Sequence, residues 1–304
     1  MRIAITGATG FVGSALVPHL AAAGHTVVTM ARGQRGDAPG CCRWDPARVD
    51  ASTFTAAAKV AGGPLDAVVH LAGENVAAGR WTAARRAAIA DSRGPVTTRL
   101  SLALAALPQP PKVLLSASAT GIYGDRGDEV LDEDSRAGSG FLAEVASAWE
   151  AGTAPAAAAG IRTIHLRLGM VLDRSGGALG RMLLPFRLGL GGRLGSGRQW
   201  MSWITRRDLL AAIEFALGHA TLHGAVLAVA PQPVTNRGFT AALGRALHRP
   251  TWLPVPAFAL RALFGAMADE LLLASCRARP QRLLAAGFRF ADPELGPALV
   301  ALVR

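Results

Sequence analysis

Short apolar runs alternate along the chain with longer stretches in which apolar positions recur at helical spacing. Residues 2–6 (Arg-Ile-Ala-Ile-Thr) form a β-branched run that ends in a glycine cluster, and an amphipathic segment from Phe11 to about Ala23 follows, closed by Gly24. The order reads strand, turn, helix. Pro18 falls inside the predicted helix, where its missing N–H should bend the element. Thr26–Met30 supplies a second strand and completes a βαβ unit. Further strands are predicted at Ala67–Leu71, Val113–Ser116, Ile161–Leu166 and Ala225–Val229, separated by alanine-rich helical stretches at about 83–107, 141–159 and 208–218. This alternation predicts an α/β fold built on a doubly wound parallel sheet. From about Pro231 the texture changes to Pro/Trp/Leu segments, and the apolar run Phe258–Leu273 predicts a small, mainly helical C-terminal region.

Composition adds limits. Apolar residues make up 51% and charged residues 17% of the 304, enough to bury a large core and too few charges for a disordered tail. No stretch approaches the roughly 18 uncharged apolar residues of a membrane span, and the opening MRIAITGATG enters a strand with no signal-peptide layout. A cytoplasmic protein without a membrane partner is therefore expected. Cys41, Cys42 and Cys276 suit neither a disulfide framework nor a zinc site, and His19, His25, His165 and His248 lack metal spacing, so no metal is expected. The net charge of +11 raises the question of nucleic acid. The arginines are scattered (Arg80, Arg85, Arg93, Arg181, Arg193 among them) and only Lys59 and Lys112 are lysines, which reads as composition bias, and no nucleic-acid partner is expected.

The strongest chemical signal is the turn Gly7-Ala-Thr9-Gly10-Phe11-Val12-Gly13 between the first strand and first helix. The first glycines permit a tight turn and close approach of backbone to a pyrophosphate, the last lets helix meet strand, and the helix N-terminus offers N–H groups to the anion. This predicts a Rossmann-type dinucleotide site. At the end of the second strand, where a carboxylate would bind ribose hydroxyls, stands Met30-Ala31-Arg32, with no acid before Asp37. A guanidinium there can fork onto a 2′-phosphate, so NADP(H) is favoured over NAD(H), the alternative being a solvated loop cation. Leu71-Ala72-Gly73 ends a strand at the carboxyl edge, as a backbone passing close to cofactor or as an ordinary turn.

These residues resemble the extended short-chain dehydrogenase/reductases of the NAD-dependent epimerase/dehydratase superfamily, through TGATGFVG, HLAGEN, LLSASATGIYGD and LRLGMVL. GENVAAGRWT, FLAEVASAWE, LPFRLGLGGRLGSGRQWMSWI and MADELLLAS resemble the atypical epimerase-family proteins that carry their own short C-terminal domain. The resemblance implies an NADP(H)-binding Rossmann domain with substrate-cleft segments over residues 1–230 and a C-terminal helical domain over 231–304. It implies cofactor contacts at Gly7, Thr9, Gly10, Phe11, Val12, Gly13, Ala31, Arg32, Leu71, Ala72, Gly73 and Arg93, with Leu168 on the nicotinamide side, and makes a homodimer plausible. It also aligns Ser118 with the superfamily's catalytic serine; the alternative is a strand-end serine that satisfies local backbone.

Standard members use a Tyr-x-x-x-Lys pair on a helix, and this sequence has Phe141 and Val145 where that pair would stand. The single tyrosine is Tyr123, with neither lysine near it in sequence. An unassisted phenol titrates near pH 10, far from neutral. Three readings follow: an oxidoreductase or epimerase-like enzyme with a relocated acid/base drawn from Ser118, Tyr123 and Glu144; a catalytically silent NADP(H) binder or sensor; and a basic interaction protein. In the Gly-rich loop 195–203, Arg198 could anchor a polar small-molecule substrate beside Trp200, whereas Trp203 is expected to fill core.

Overall fold

The computed structural model describes residues 1–304. Its central sheet has seven strands: β1 (Arg2–Thr6), β2 (Thr26–Ala31), β3 (Cys41–Arg43), β4 (Ala67–His70), β5 (Val113–Ala119), β6 (Arg162–Leu168) and β7 (Gly224–Ala228). They lie in the order β7-β6-β5-β4-β1-β2-β3, and every pairing is parallel. The chain therefore leaves β1 in one direction and returns on its other side at β4. The crevice beyond that reversal is where sheets of this kind bind ligands.

Helices cover both faces. They are α1 (Gly13–Ala22), α2 (Ala51–Val60), α3 (Ala83–Asp91), α4 (Gly94–Ala105), α5 (Phe141–Ala151), α6 (Ala154–Ala158), α7 (Gly177–Arg187), α8 (Arg206–Gly218), α9 (Asn236–Leu247), α10 (Ala257–Phe264), α11 (Gln281–Ala285) and α12 (Leu295–Val303). Side chains alternate across a strand, so β1 sends Ile3 and Ile5 to one face and Ala4 to the other. The first set joins Val69, Leu115 and Ile164 against Leu16 and Leu20 of α1 and Ile213 of α8. Ala4 joins Val28, Val68 and Leu114 against Phe54 of α2 and Leu100 and Leu104 of α4.

The expected strands are present, most of them shifted by a residue or two, and the helical predictions needed two divisions. The alanine-rich stretch 83–107 is α3 and α4, parted at Arg93 (φ −114°, ψ −84°) just before Gly94-Pro95. The stretch 141–159 is α5 and α6, parted at Gly152 and Thr153 before Pro155. Proline lacks a donor and disfavours helical conformation before it, which outweighs the alanine propensity on either side. Pro18 sits inside an α1 that remains continuous.

The C-terminal segment is mainly helical and packs onto the rest. Phe239 and Leu243 of α9 and Leu295 and Leu299 of α12 share one core with Leu179 and Leu183 of α7 and with Trp203. Three short strand pairs bind loops above the sheet's carboxyl edge: Met170–Asp173 with Trp203–Thr205, Trp200–Met201 with Val234–Thr235, and Val130–Leu131 with Arg277–Ala278. These pairs position the cleft segments.

Candidate functional site

The glycine turn closes as its spacing requires. Gly7 has φ +71°, and a Cβ there would stand 2.7 Å from the carbonyl carbon of Leu71. A Cβ on Gly13 would stand 2.2 Å from the Gly7 oxygen, so only glycine lets α1 start this close to β1. The N–H groups of Phe11 and Val12 donate to no backbone acceptor, and α1 has no acid in its first turn. That is a cradle of free donors at a positive helix end, and an anionic pyrophosphate fits it. Thr9 and Gly10 are exposed beside it, and the Phe11 ring seats the turn on Gly176 and Gly177 with the Arg206 guanidinium 5.3 Å from its centroid.

At the end of β2 Ala31 is buried and Arg32 is exposed, at the head of a short 3₁₀ turn over Gly33–Asp37. Neither Arg32 nor Arg35 meets a carboxylate. Asp37, the nearest acid, is clamped through both oxygens by Arg43, at 2.7 Å each, and that hydrogen bond holds its carboxyl below the usual range. The strand end thus presents unpaired guanidinium and no free carboxylate.

Leu71, Ala72 and Gly73 follow β4 at the same edge, half-buried to exposed. Arg93 lies beneath Gly73, 9% exposed, donating to the carbonyls of Ile89 and Glu74 and standing 4.8 Å from the Trp149 ring centroid. Burial pulls its pKa down to about 10. Leu168 ends β6 opposite Ala119 of β5.

Ser118 faces α5 and is 1% exposed. Its hydroxyl donates to Glu150 Oε1 at 2.7 Å; the same carboxylate takes a two-pronged bond from Arg167, Nε to Oε1 at 2.8 Å and Nη2 to Oε2 at 2.9 Å. Arg167 also donates to the Tyr123 hydroxyl at 2.8 Å, which itself donates to the Asp132 carbonyl at 2.7 Å. His165 approaches Glu150 at 3.7 Å and is held by Thr153. Burial alone would raise the Glu150 carboxyl, but the Arg167 bond and charge outweigh it and keep the group below its ordinary range. Glu150 is therefore an ionised acceptor that turns the Ser118 proton inward.

Two of the three acid/base candidates are placed elsewhere than catalysis requires. Tyr123 is fully buried with its proton committed to a carbonyl, and burial drives its phenol well above the usual range. It locks Arg167 in place. Glu144 stands on the exposed stripe of α5 with Ala148, while Glu150, six residues on, is turned inward. Phe141 and Val145 pack with Ile89 of α3 and do no polar work. Sequence reasoning did not single out Glu150 or Arg167. It also passed over Thr120, two residues beyond Ser118 and half-buried at the strand edge beside Cys276.

In the Gly-rich loop Arg198 is exposed, while the Trp200 indole donates to Asp128 at 2.8 Å and the Arg277 guanidinium stacks on it 4.1 Å from the ring centroid. Trp203 is core, with its indole N–H on the Gln232 carbonyl. The loop is tied to the C-terminal segment through Gln199 to the Leu272 carbonyl and Ser202 to the Cys276 carbonyl. From that segment Glu270 reaches the start of α5, where its carboxylate accepts from the N–H groups of Phe141 (3.2 Å) and Leu142 (2.8 Å).

A family model described as NAD dependent epimerase/dehydratase family matches residues 3–230. The chain belongs to that family. A domain of unknown function, DUF1731, matches residues 255–302 of this epimerase-family chain. Among its relatives, an epimerase family protein of Mycobacterium tuberculosis, MT2273, is 44% identical over 297 residues, covering 98% of this chain and 96% of the other. The human epimerase family protein SDR39U1 is 38% identical over 306 residues and the full length of both. A crystal structure of human SDR39U1 (isoform 2) with NADPH superposes with a TM-score of 0.89 at 36% identity, over 99% of each chain. A nucleoside-diphosphate sugar epimerase from Corynebacterium glutamicum gives 0.81 at 34% identity, over all of this chain and 58% of that one.

Proposed function

We propose that this epimerase-family chain binds NADP(H) across the Gly7–Gly13 turn and exchanges hydride with a small oxygen-bearing substrate, as a cytoplasmic oxidoreductase or epimerase-like enzyme. The observation that carries the cofactor choice is at the end of β2. Arg32 and Arg35 stand free while Asp37 is spent on Arg43, so the position that would reject a 2′-phosphate attracts one. The NADPH in the human relative supports the same reading. The free donors of Phe11 and Val12 would hold the pyrophosphate, the Leu71–Gly73 edge with Arg93 would flank the cofactor, and Leu168 would lie on the nicotinamide side. When bound, the nicotinamide supplies the hydride chemistry. Ser118, oriented by Glu150, has its lone pairs left to accept from a substrate hydroxyl; Thr120 offers a second hydroxyl nearer the opening. Arg198 and Trp200 are the proposed substrate anchor and wall.

A second reading, a silent NADP(H) binder, is favoured by one observation: the protons of Ser118 and Tyr123 are both committed within the chain. One series separates the two. Thermal unfolding with NADPH, NADP, NADH and NAD should show selective stabilisation by the phosphorylated pair. Arg32→Ala should weaken NADPH by about tenfold or more, the worth of a charged hydrogen bond, and NADH little. Equal losses would remove Arg32 as the phosphate clamp. NADPH oxidation over a panel of carbonyl compounds and nucleotide sugars then tests chemistry: turnover reduced by Ser118→Ala and Thr120→Val supports the enzyme, and selective binding with no turnover supports the silent binder.

A further inference from the structure

We propose that the flank formed by α7, residues 249–256 and α10 docks on an anionic lipid surface. Six large apolar side chains stand out from it: Trp252 (86% exposed), Phe258 (74%), Leu184 (66%), Leu188 (64%), Leu190 and Leu253. The segments that carry them are clamped together. Arg249 Nε donates to the Arg187 carbonyl at 2.8 Å, Val255 N to the Arg193 carbonyl at 2.8 Å, and Gly195 N to the Val255 carbonyl at 2.9 Å. Singly scattered apolar residues need no explanation, but a grouped set of this size marks an interaction site.

Charge selects the occupant. Neither residues 174–207 nor residues 215–268 contain an Asp or Glu, and together they hold eleven arginines. Only Arg206 and Arg261 of these have a carboxylate partner, Asp173 and Asp269. Arg187, Arg237, Arg245 and Arg249 are exposed with none. A second copy of the chain would set arginine against arginine across the patch, which opposes self-association there. No helix is long and apolar enough to cross a membrane, so what remains for a lipid partner is the surface. Aromatic and leucine side chains enter the headgroup boundary, arginines draw anionic headgroups, and their aliphatic stems follow the apolar contact. These arginines are scattered along the sequence, and the fold brings residues 187, 193, 237 and 249 to one side.

The test is co-sedimentation of the full chain with vesicles of phosphatidylcholine, alone or mixed with phosphatidylglycerol. Binding is expected to the mixed vesicles only, falling as salt rises. Trp252→Ser with Phe258→Ser, and separately Arg187→Glu with Arg237→Glu, should each weaken it by about tenfold or more. These side chains are exposed, so the variants should keep the parent's unfolding midpoint. Vesicles should shift the tryptophan emission to the blue in the parent but not in Trp252→Phe, which holds even if a double variant folds poorly. Absence of binding to mixed vesicles, or binding that survives loss of Trp252 and Phe258, overturns the proposal. Retention on polyglutamate equal to that on vesicles also overturns it and makes an acidic protein the partner.

Discussion

Glu150 and Arg167 are drawn from different elements and meet as a fork beneath the hydroxyl of Ser118, with 12% and 10% of their side chains exposed. A buried pair of this kind is fragile in one direction. Arg167→Met strands an ionised carboxylate and should cost about 3–5 kcal/mol, whereas removing both charges together should recover much of the loss. Denaturant unfolding of Arg167→Met and of the double variant Glu150→Met/Arg167→Met checks this; equal stabilities would mean that the pair is not coupled. The fork was not legible in the sequence. Its members lie 17 residues apart on a helix and a strand, and Glu150 follows Trp149 in a stretch that reads as one more amphipathic turn. Gly7 and Gly13 were legible because part of their constraint is local: Gly7 has φ +71°, which side chains rarely adopt, and a Cβ on Gly13 would strike the Gly7 oxygen six residues earlier.

At the scale of elements, α5 has no capping side chain of its own at Gly140, whose φ is +106°. The cap comes from Glu270, 129 residues beyond Phe141. Its carboxylate meets two orphan N–H groups and the positive end of the helix dipole. Glu270→Ala should destabilise the chain by about 0.5–2 kcal/mol, with Glu270→Gln recovering part of it because the amide oxygen still accepts. Hydrogen exchange should rise first at Phe141 and Leu142; unchanged protection there would count against a capping role. The element boundaries show what periodicity misses. Alanine-rich sequence kept the helical pattern running through Gly94-Pro95 and Gly152, although the backbone rules at those positions stop it. That α5 carries neither tyrosine nor lysine could, by contrast, be read directly from residues 141–151.

For the whole molecule, one imidazole ties two strands of the sheet to the helical layer that covers it. His70 of β4 is fully buried, 2.7 Å from the Thr6 hydroxyl of β1 and 3.2 Å from that of Thr97 on α4. Burial, with the Arg93 charge nearby, drops its pKa to about 4. The unfolded chain takes up this proton near pH 6.5 and the folded chain only near 4, so His70's contribution is whole above 6.5 and drains away between those values. The loss should reach at most about 3 kcal/mol by pH 4. A stability profile of His70→Gln should be flatter than the parent's across that window; parallel profiles would assign the acid lability elsewhere. The doubly wound parallel sheet and the dinucleotide turn could be anticipated, since alternation and glycine spacing are written in the sequence, whereas the edge strand Cys41–Arg43 was not foreseen. The contacts of His70 could not, because its partners lie 64 and 27 residues away.

The carboxylate-free flank is cationic almost without lysine: only Lys59 and Lys112 interrupt the chain's use of arginine, and neither falls in those stretches. Guanidinium is not a substrate for acetyl transfer to amines. The charge on that side is thus fixed rather than adjustable. Amine acylation would leave it standing, and a counter-anion pressed against it is what neutralises it.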